Sequence, residues 1–356
     1  MNLDLLEKLI RNRSVSSDFA AVNRAENMVK TVLEANGVPC VMEHLNDGHD
    51  VLYASAIPGD KTPDLLLNAH LDVVPACRED QYEPRLEGDW MVGRGTSDCL
   101  SNVLCAIDIL CRAAKHGNVS VGAVFTADEE IGGKTCLGMM ERGYGAKKLV
   151  LVMDHGGDNL TIRQKGIVIV KLTSYGPGGH SAAPWGVPNP IDNLLAGYAK
   201  LQAVWKNSDV PGSWTDTMAA CQIEAGFADN QIPETASMIV NFRYTQPDGM
   251  DKILNLVRET TGLEVTLLHH SGFADSDENA PVLQEFRKVM QKHVSGKEVG
   301  FSYMCGATDA RHFQKLGVPF ASIGTDGRGA HSADERIYLS SIARYSDMIC
   351  DYLGIL

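Results

Sequence analysis

The chain has 356 residues, with 45 Asp and Glu against 32 Lys and Arg, for a formal net charge of −13. That length suits two domains rather than one core, and an acidic chain without a basic stripe argues against a nucleic-acid partner. No apolar run is long enough to span a bilayer, the charged N-terminal MNLDLLEKLIRNRSV lacks a signal-peptide core, and nine cysteines follow no zinc-finger or paired spacing, so the expectation is a cytoplasmic protein with reduced thiols.

Residues 3–11 and 20–36 read as helices, the second closed by Gly37. Strands follow around 50–57 and 65–71. A long helix begins just after Asp98 in SNVLCAIDILCRAAKHG and stops at Gly117. VSVGAVFTAD (119–128) and KKLVLVMD (147–154) are unbroken apolar runs, as expected of strands buried on both faces. Helices alternate with strands, which predicts a mixed, mostly parallel α/β sheet covered on both sides.

The pattern changes near Gly166. GIVIVKLTSYG reads as a strand, NPIDNLLAGYAKLQAVWK as a helix, and TMAACQIEAGF and ASMIVNFRYT as strands of period two. DGMDKILNLVRETTG is a helix and LEVTLLHH a strand. This β-α-β-β-α-β order is the split βαβ arrangement of a compact α+β, ferredoxin-like domain. A helix at 280–294, the strand VPFASIG and a helix at 338–353 then resume the first pattern. The predicted organisation is an α/β domain of residues 1–165 and 277–356, interrupted by an inserted domain of residues 166–276.

The strands of the first domain end on ionisable groups. LLLNAHLDVVP ends on His70 and Asp72, two residues apart and so on one face of an extended chain. GRGTSD brings Asp98 to a helix entry; 119–128 ends in Asp128-Glu129-Glu130; 147–153 ends in Asp154-His155; 318–323 leads to GTDGRGAHSADE with His331. Taken singly, each is an ordinary strand-end polar group or, for Asp98, a helix cap. In open α/β sheets, however, sites form beyond the carboxyl ends of the strands. Asp, Glu and His residues converging from five segments, without cysteine, suit one or two divalent metals, since carboxylates so close would repel one another without a cation. The EE dipeptide, read as extended backbone, sends Glu129 and Glu130 in opposite directions and so to different roles.

Across almost its whole length the sequence resembles the zinc aminoacylase and carboxypeptidase family, which includes carboxypeptidase G, acetylornithine deacetylase, succinyl-diaminopimelate desuccinylase, aminoacylase and peptidases T and V. HLDVVP, GRGTSD, TADEEIGG, LVMD, GPGGHSAAP, NFR, GATDAR and GAHSADE carry the resemblance in order. It implies a zinc exopeptidase-like catalytic domain with an inserted lid and dimerisation domain, a homodimer acting on a small-molecule substrate, and two Zn2+ ions, with Co2+ or Mn2+ as alternatives. Asp98 would bridge the ions. His70 and Asp154 would complete one, and Glu130 and His331 the other. Glu129 would be the general base and Asp72 the partner of His70. His180 would stabilise the oxyanion in the partner's site, Arg243 would hold the substrate carboxylate, and Asn230 and Gly306 would lie near the substrate. The peptide after Asp98 would be cis.

The chain departs from the family in three places. Cys99-Leu100-Ser101-Asn102 stands where Met-Lys-Gly-Gly is usual, Asn241 stands where Asp is common, and Asp154 stands where many deacylases carry Glu. Asp at that position resembles the aminopeptidase-like and dipeptidase members, which sets a di- or tripeptidase beside an N-acyl amino acid deacylase. Two other classes stay open at lower rank: a non-catalytic metal-binding relative, whose signature would be loss of the Glu129 that is present here, and, lower still, a dinucleotide enzyme, since no G-x-G-x-x-G opens a helix after the first strand. His44 and His269-His270 read as surface histidines, His155 as facing away from the metals, Trp185 and Trp214 as packing residues, and Arg311 as a structural ion-pair partner.

Overall fold

The structure is a computed structural model that describes residues 3–154 and 157–356. The chain divides into two compact units. The first comprises Met1–Arg163, Asp275–Ser302 and Thr308–Leu356; the second comprises Gln164–Ala274 and Tyr303–Ala307.

The first unit is built on a mixed sheet. Its strands run in the order Cys40–His44, Asp50–Ser55, Val121–Thr126, Leu65–His70, Leu149–Val152, Phe320–Ser322 and Leu160–Gln164. Val121–Thr126, Leu65–His70, Leu149–Val152 and Phe320–Ser322 are mutually parallel neighbours, and the flanking pairs are antiparallel. Every residue of Leu65–His70 and Val121–Thr126 is buried, which is why these segments read as unbroken apolar runs. Helices Leu3–Asn12, Phe19–Ala35, Ser101–His116 and Leu339–Tyr352 supply the covering apolar faces. Parallel pairing sets the carboxyl ends of four strands at one edge. His70 pairs with Thr126 there, so the segments that follow each strand leave from the same side of the sheet.

A small antiparallel sheet, undetected in the sequence, joins Gly327–Arg328, Arg336–Tyr338, Trp90–Val92 and Arg85–Glu87. It ties the chain just before Asp98 to the chain on either side of His331, with Val92 opposite Arg336.

In the second unit four antiparallel strands run in the order Thr217–Ala225, Thr235–Tyr244, Gly166–Tyr175 and Glu264–Ser271. Helices Pro190–Val204 and Gly249–Thr261 bury Leu194, Leu201, Ile253 and Val257 with Val168, Val170, Leu172 and Phe242. This is the split βαβ order read from the sequence. The unit begins at Gln164 and also takes in Tyr303–Ala307, a short segment lying outside the contiguous range 166–276. Among the described residues, no helix is long and apolar enough to cross a membrane.

Candidate metal centre

His70 is the last residue of its strand and is 1 % exposed. Its Nε2 lies 2.8 Å from Asp98 Oδ1 and 3.5 Å from Asp154 Oδ1. The other oxygen of Asp98, Oδ2, lies 3.2 Å from Nε2 of His331, which is 3.0 Å from Glu130 Oε2. One carboxylate thus faces both imidazoles, with Asp154 on one side and Glu130 on the other. The donor atoms of His70, Asp98 and Glu130 fall within 4.8 Å of one another. So do those of His70, Cys99 and Asp154, which brings a thiol to a donor set expected to hold no cysteine. The Cys99 sulfur contacts the His70 main chain, 3.1 Å from its N–H and 3.4 Å from its carbonyl. Burial pushes that thiol up to about 12.

Asp98 does not cap the following helix. It has extended φ/ψ of −128° and 92°, no side-chain cap is made, and the regular helix begins at Ser101. The Asp98–Cys99 peptide is cis, as the resemblance implies. The unusual Ser101-Asn102 pair binds a neighbouring loop. Asn102 Oδ1 accepts from Thr325 N (2.8 Å) and Oγ1 (3.0 Å), and the Ser101 hydroxyl lies 2.7 Å from Thr325 Oγ1. These bonds join the helix start to the segment that leads to His331.

Glu129-Glu130 is not extended; Glu129–Ile131 forms a 3₁₀ turn. Asp72 explains the difference. Fully buried, it accepts from the N–H groups of Glu129 (3.1 Å) and Glu130 (3.2 Å) and from the Ser16 hydroxyl (2.7 Å), which winds the turn around its carboxylate. Its Oδ1 also lies 3.4 Å from His70 Nδ1, while its carbonyl is nearer at 2.9 Å. Glu130 turns to His331 and Glu129 to Arg311, whose guanidinium lies 3.2 Å from Glu129 Oε1 and donates to the Glu129 carbonyl at 3.4 Å. The two side chains diverge as anticipated, but through a turn rather than a pleat.

The charges explain what such a cluster requires. Burial opposes ionisation of Asp98, yet hydrogen bonds from His331 and His70 outweigh it and hold its carboxyl well below the usual range. Burial and the Asp98 charge raise Asp154 to about 7. The bonds to Asp98 and Glu130 raise His331 to about 10. Burial, then the charge of Asp154, lifts Glu129 well above a normal glutamate. Without a cation, charge crowding thus favours protons on His331, Asp154 and Glu129. The donor set of two imidazoles and three carboxylates suits divalent ions, which would take the place of those protons.

The remaining candidates belong to the second unit. His180 is exposed on a two-residue strand paired with Gln231–Ile232, and its Nδ1 accepts from Ala182 N at 3.1 Å. The Asn230 carbonyl accepts from Ser181 N at 3.0 Å, so these two segments are laced together. Arg243 sits on Thr235–Tyr244 between Thr217 and Ile167, and Gly306 is in open surroundings, with Met304 Cε 3.4 Å from where a Cβ would stand. Trp214 packs against Phe273 and Tyr303, while Trp185 is 82 % exposed and so does not pack. His44 and His270 are exposed. His155 lies outside the described residues. Sequence reasoning missed Ser16, Arg94 and Glu335 and gave Arg311 no link to Glu129. Each meets its partner across a large sequence separation, 56 residues for Ser16–Asp72 and 241 for Arg94–Glu335, which no local motif announces.

Residues 66–354 match the model of peptidase family M20/M25/M40. Among curated relatives, a succinyl-diaminopimelate desuccinylase from Stenotrophomonas maltophilia is 27 % identical over 363 residues, covering 96 % of this chain and 95 % of its own. Among solved structures, the M20 family metallo-carboxypeptidase Sso-CP2 from Sulfolobus solfataricus superposes with a TM-score of 0.83 at 18 % identity, covering 100 % and 99 % of the two chains. Aminopeptidase PepT from Bacillus cereus gives 0.78 at 16 % identity, covering 99 % and 97 %. The family match over most of the chain, on a mixed α/β fold whose strand ends gather this donor set, makes the chain a member of peptidase family M20/M25/M40 and a metal-dependent hydrolase.

Proposed function

We propose that the chain is a co-catalytic zinc hydrolase that cleaves the amide bond of a small N-acyl amino acid or short peptide bearing a free carboxylate. One observation carries this reading: the donors of His70, Asp154, Glu130 and His331 gather around Asp98, while Glu129 stands beside them paired to an arginine instead of a histidine. In this reading Asp98 would be shared between two ions, one held with His70 and Asp154 and the other with Glu130 and His331. Zn2+ is the proposed metal, with Co2+ or Mn2+ as substitutes. Bound there, such ions supply a polarised carbonyl and a more acidic water. Glu129 takes the proton of the attacking water and returns it to the leaving amine. Burial and the charge of Asp154 raise its proton affinity, which favours holding the proton between the two steps. Asp72 holds His70 and the Glu129-Glu130 turn. His180 donates to the developing oxyanion in the partner's site, Arg243 pairs with the substrate carboxylate through its planar fork, and Asn230 and Gly306 lie beside the substrate. The second unit serves as lid and dimer interface of a cytoplasmic homodimer.

Asp154 favours a second reading within the same chemistry, a di- or tripeptidase, in keeping with the fold shared with aminopeptidase PepT. A hydrolysis screen of zinc-loaded protein decides between them. N-acetyl and N-succinyl amino acids turned over in preference to dipeptides support a deacylase, and the reverse order supports a peptidase. Turnover of neither class, by protein shown to hold two zinc ions, would overturn the proposal.

A further inference from the structure

Arg94 and Glu335 form an ion pair at 2.6 Å with both side chains 1 % exposed. The bonds around it are distributed unusually. Glu335 Oε2 also accepts from Gly95 N at 3.0 Å, and its Oε1 accepts from Ser97 N at 3.0 Å and Asp98 N at 3.1 Å. Both carboxylate oxygens are therefore spent on the four residues that end at Asp98. The second arm of Arg94 reaches the carbonyls of Pro75 and His331, each at 3.4 Å. His331 itself has a left-handed φ of +63°, which a non-glycine residue adopts only when its surroundings hold it there.

A buried ion pair is by itself weak evidence of stabilisation, since a well-packed apolar pair of similar volume often does as well. This one differs in what it touches: one member fixes the main chain of Asp98, and the other fixes the main chain of His331. Those residues are far apart in sequence, and their imidazole–carboxylate contact at 3.2 Å depends on both loops standing in register. We propose that Arg94–Glu335 is a positioning pair that holds Asp98 and His331 preorganised for divalent metal, so that it sets metal affinity and not merely the stability of the fold. The inference rests on the reading that Asp98 and His331 are ligands. Residues that orient ligands from outside the coordination sphere typically contribute 10–100-fold in affinity.

The test is zinc binding by chelator competition on metal-free protein, well below its melting temperature, with circular dichroism to establish folding. Glu335→Gln keeps the shape but loses the charge that gathers three N–H groups. It should weaken both zinc-binding steps by roughly 10–100-fold, because Asp98 is shared. Arg94→Lys keeps a cation for Glu335 but loses the arm to His331. It should weaken one step by a similar factor, the same step that His331→Ala abolishes. Folded variants with both zinc constants within about twofold of wild type would overturn the proposal and leave the pair a purely structural role. If Glu335→Gln fails to fold, Arg94→Lys decides alone. Failure of the underlying reading looks different: wild type would bind no zinc, or Asp98→Ala and His331→Ala would bind it normally.

Discussion

Glu26 lies in the middle of helix Phe19–Ala35 and is fully buried. Neither of its side-chain oxygens has a hydrogen-bond partner of good geometry among the described residues. Burial, only partly relieved by the Leu52 main chain, pushes its pKa well above the glutamate range. The sign of the effect follows from linkage. The unfolded chain loses this proton near pH 4 while the folded chain keeps it, so stability falls as pH rises from the unfolded value toward the folded one. Glu26→Gln removes the titration and should stabilise the protein relative to wild type more at pH 8 than at pH 4. Denaturant melts at the two pH values measure this, and an equal shift at both would refute the assignment. Arg311 offers a second prediction at this scale. Its guanidinium fixes the Glu129 carboxylate and carbonyl together. On the proposed mechanism, Arg311→Ala should lower kcat roughly 10–100-fold with KM and zinc content little changed, and Arg311→Lys should recover part of the loss. In a Glu129→Gln background the same substitution should cost almost nothing further, because residues acting as one unit are not additive. Full additivity would place Arg311 outside the catalytic unit.

At the scale of elements, the close approach of Gly166 to Tyr244 sets the packing of the second sheet. The two residues face each other across neighbouring strands, and a Cβ at Gly166 would lie 2.0 Å from the tyrosine ring. The ring hydroxyl donates to the Ser271 carbonyl at 3.0 Å, so the tyrosine cannot move aside without breaking a buried bond. Gly166→Ala should therefore destabilise the second unit by about 1–3 kcal/mol. Hydrogen exchange should show protection lost in 166–175, 235–244 and 264–271 while 65–70 and 121–126 keep theirs. The element pattern was legible from sequence for a physical reason. Parallel strands buried on both faces read as unbroken apolar runs, and parallel pairing sends their polar ends to one edge, so His70, Asp154 and the Glu129-Glu130 segment could be grouped without coordinates. What stayed hidden depends on partners distant in sequence. The 3₁₀ turn at Glu129 exists because Asp72 recruits two successive N–H groups, and the short strands Trp90–Val92 and Arg336–Tyr338 have three residues each, too few to show a period.

At the scale of the whole molecule, the question is how the two units cooperate. Every proposed ligand and Glu129 lie in the first unit, whereas His180, Asn230 and Arg243 lie in the second. His180 follows three glycines in four residues, with Gly178 at φ +68°. Among the described residues its short strand pairs with Gln231–Ile232, so an imidazole stands exposed on a loop that is tied down at its base. A histidine on such a loop can serve its own chain's site or a neighbour's. We propose the latter, with a contribution of roughly 3–4 kcal/mol to transition-state stabilisation, as for other oxyanion donors. Subunit exchange separates the two cases. On this mechanism His180→Ala and Glu129→Gln chains should each be close to inactive alone. In a two-fold symmetric dimer with sites shared across the interface, a mixed dimer carries both defects in one site and neither in the other. Equal mixing makes half the dimers mixed, so about a quarter of wild-type activity should return. If each site is completed within one chain, every site keeps one defect whatever the mixing, and exchange confirmed by mass spectrometry without recovery would assign His180 to its own chain.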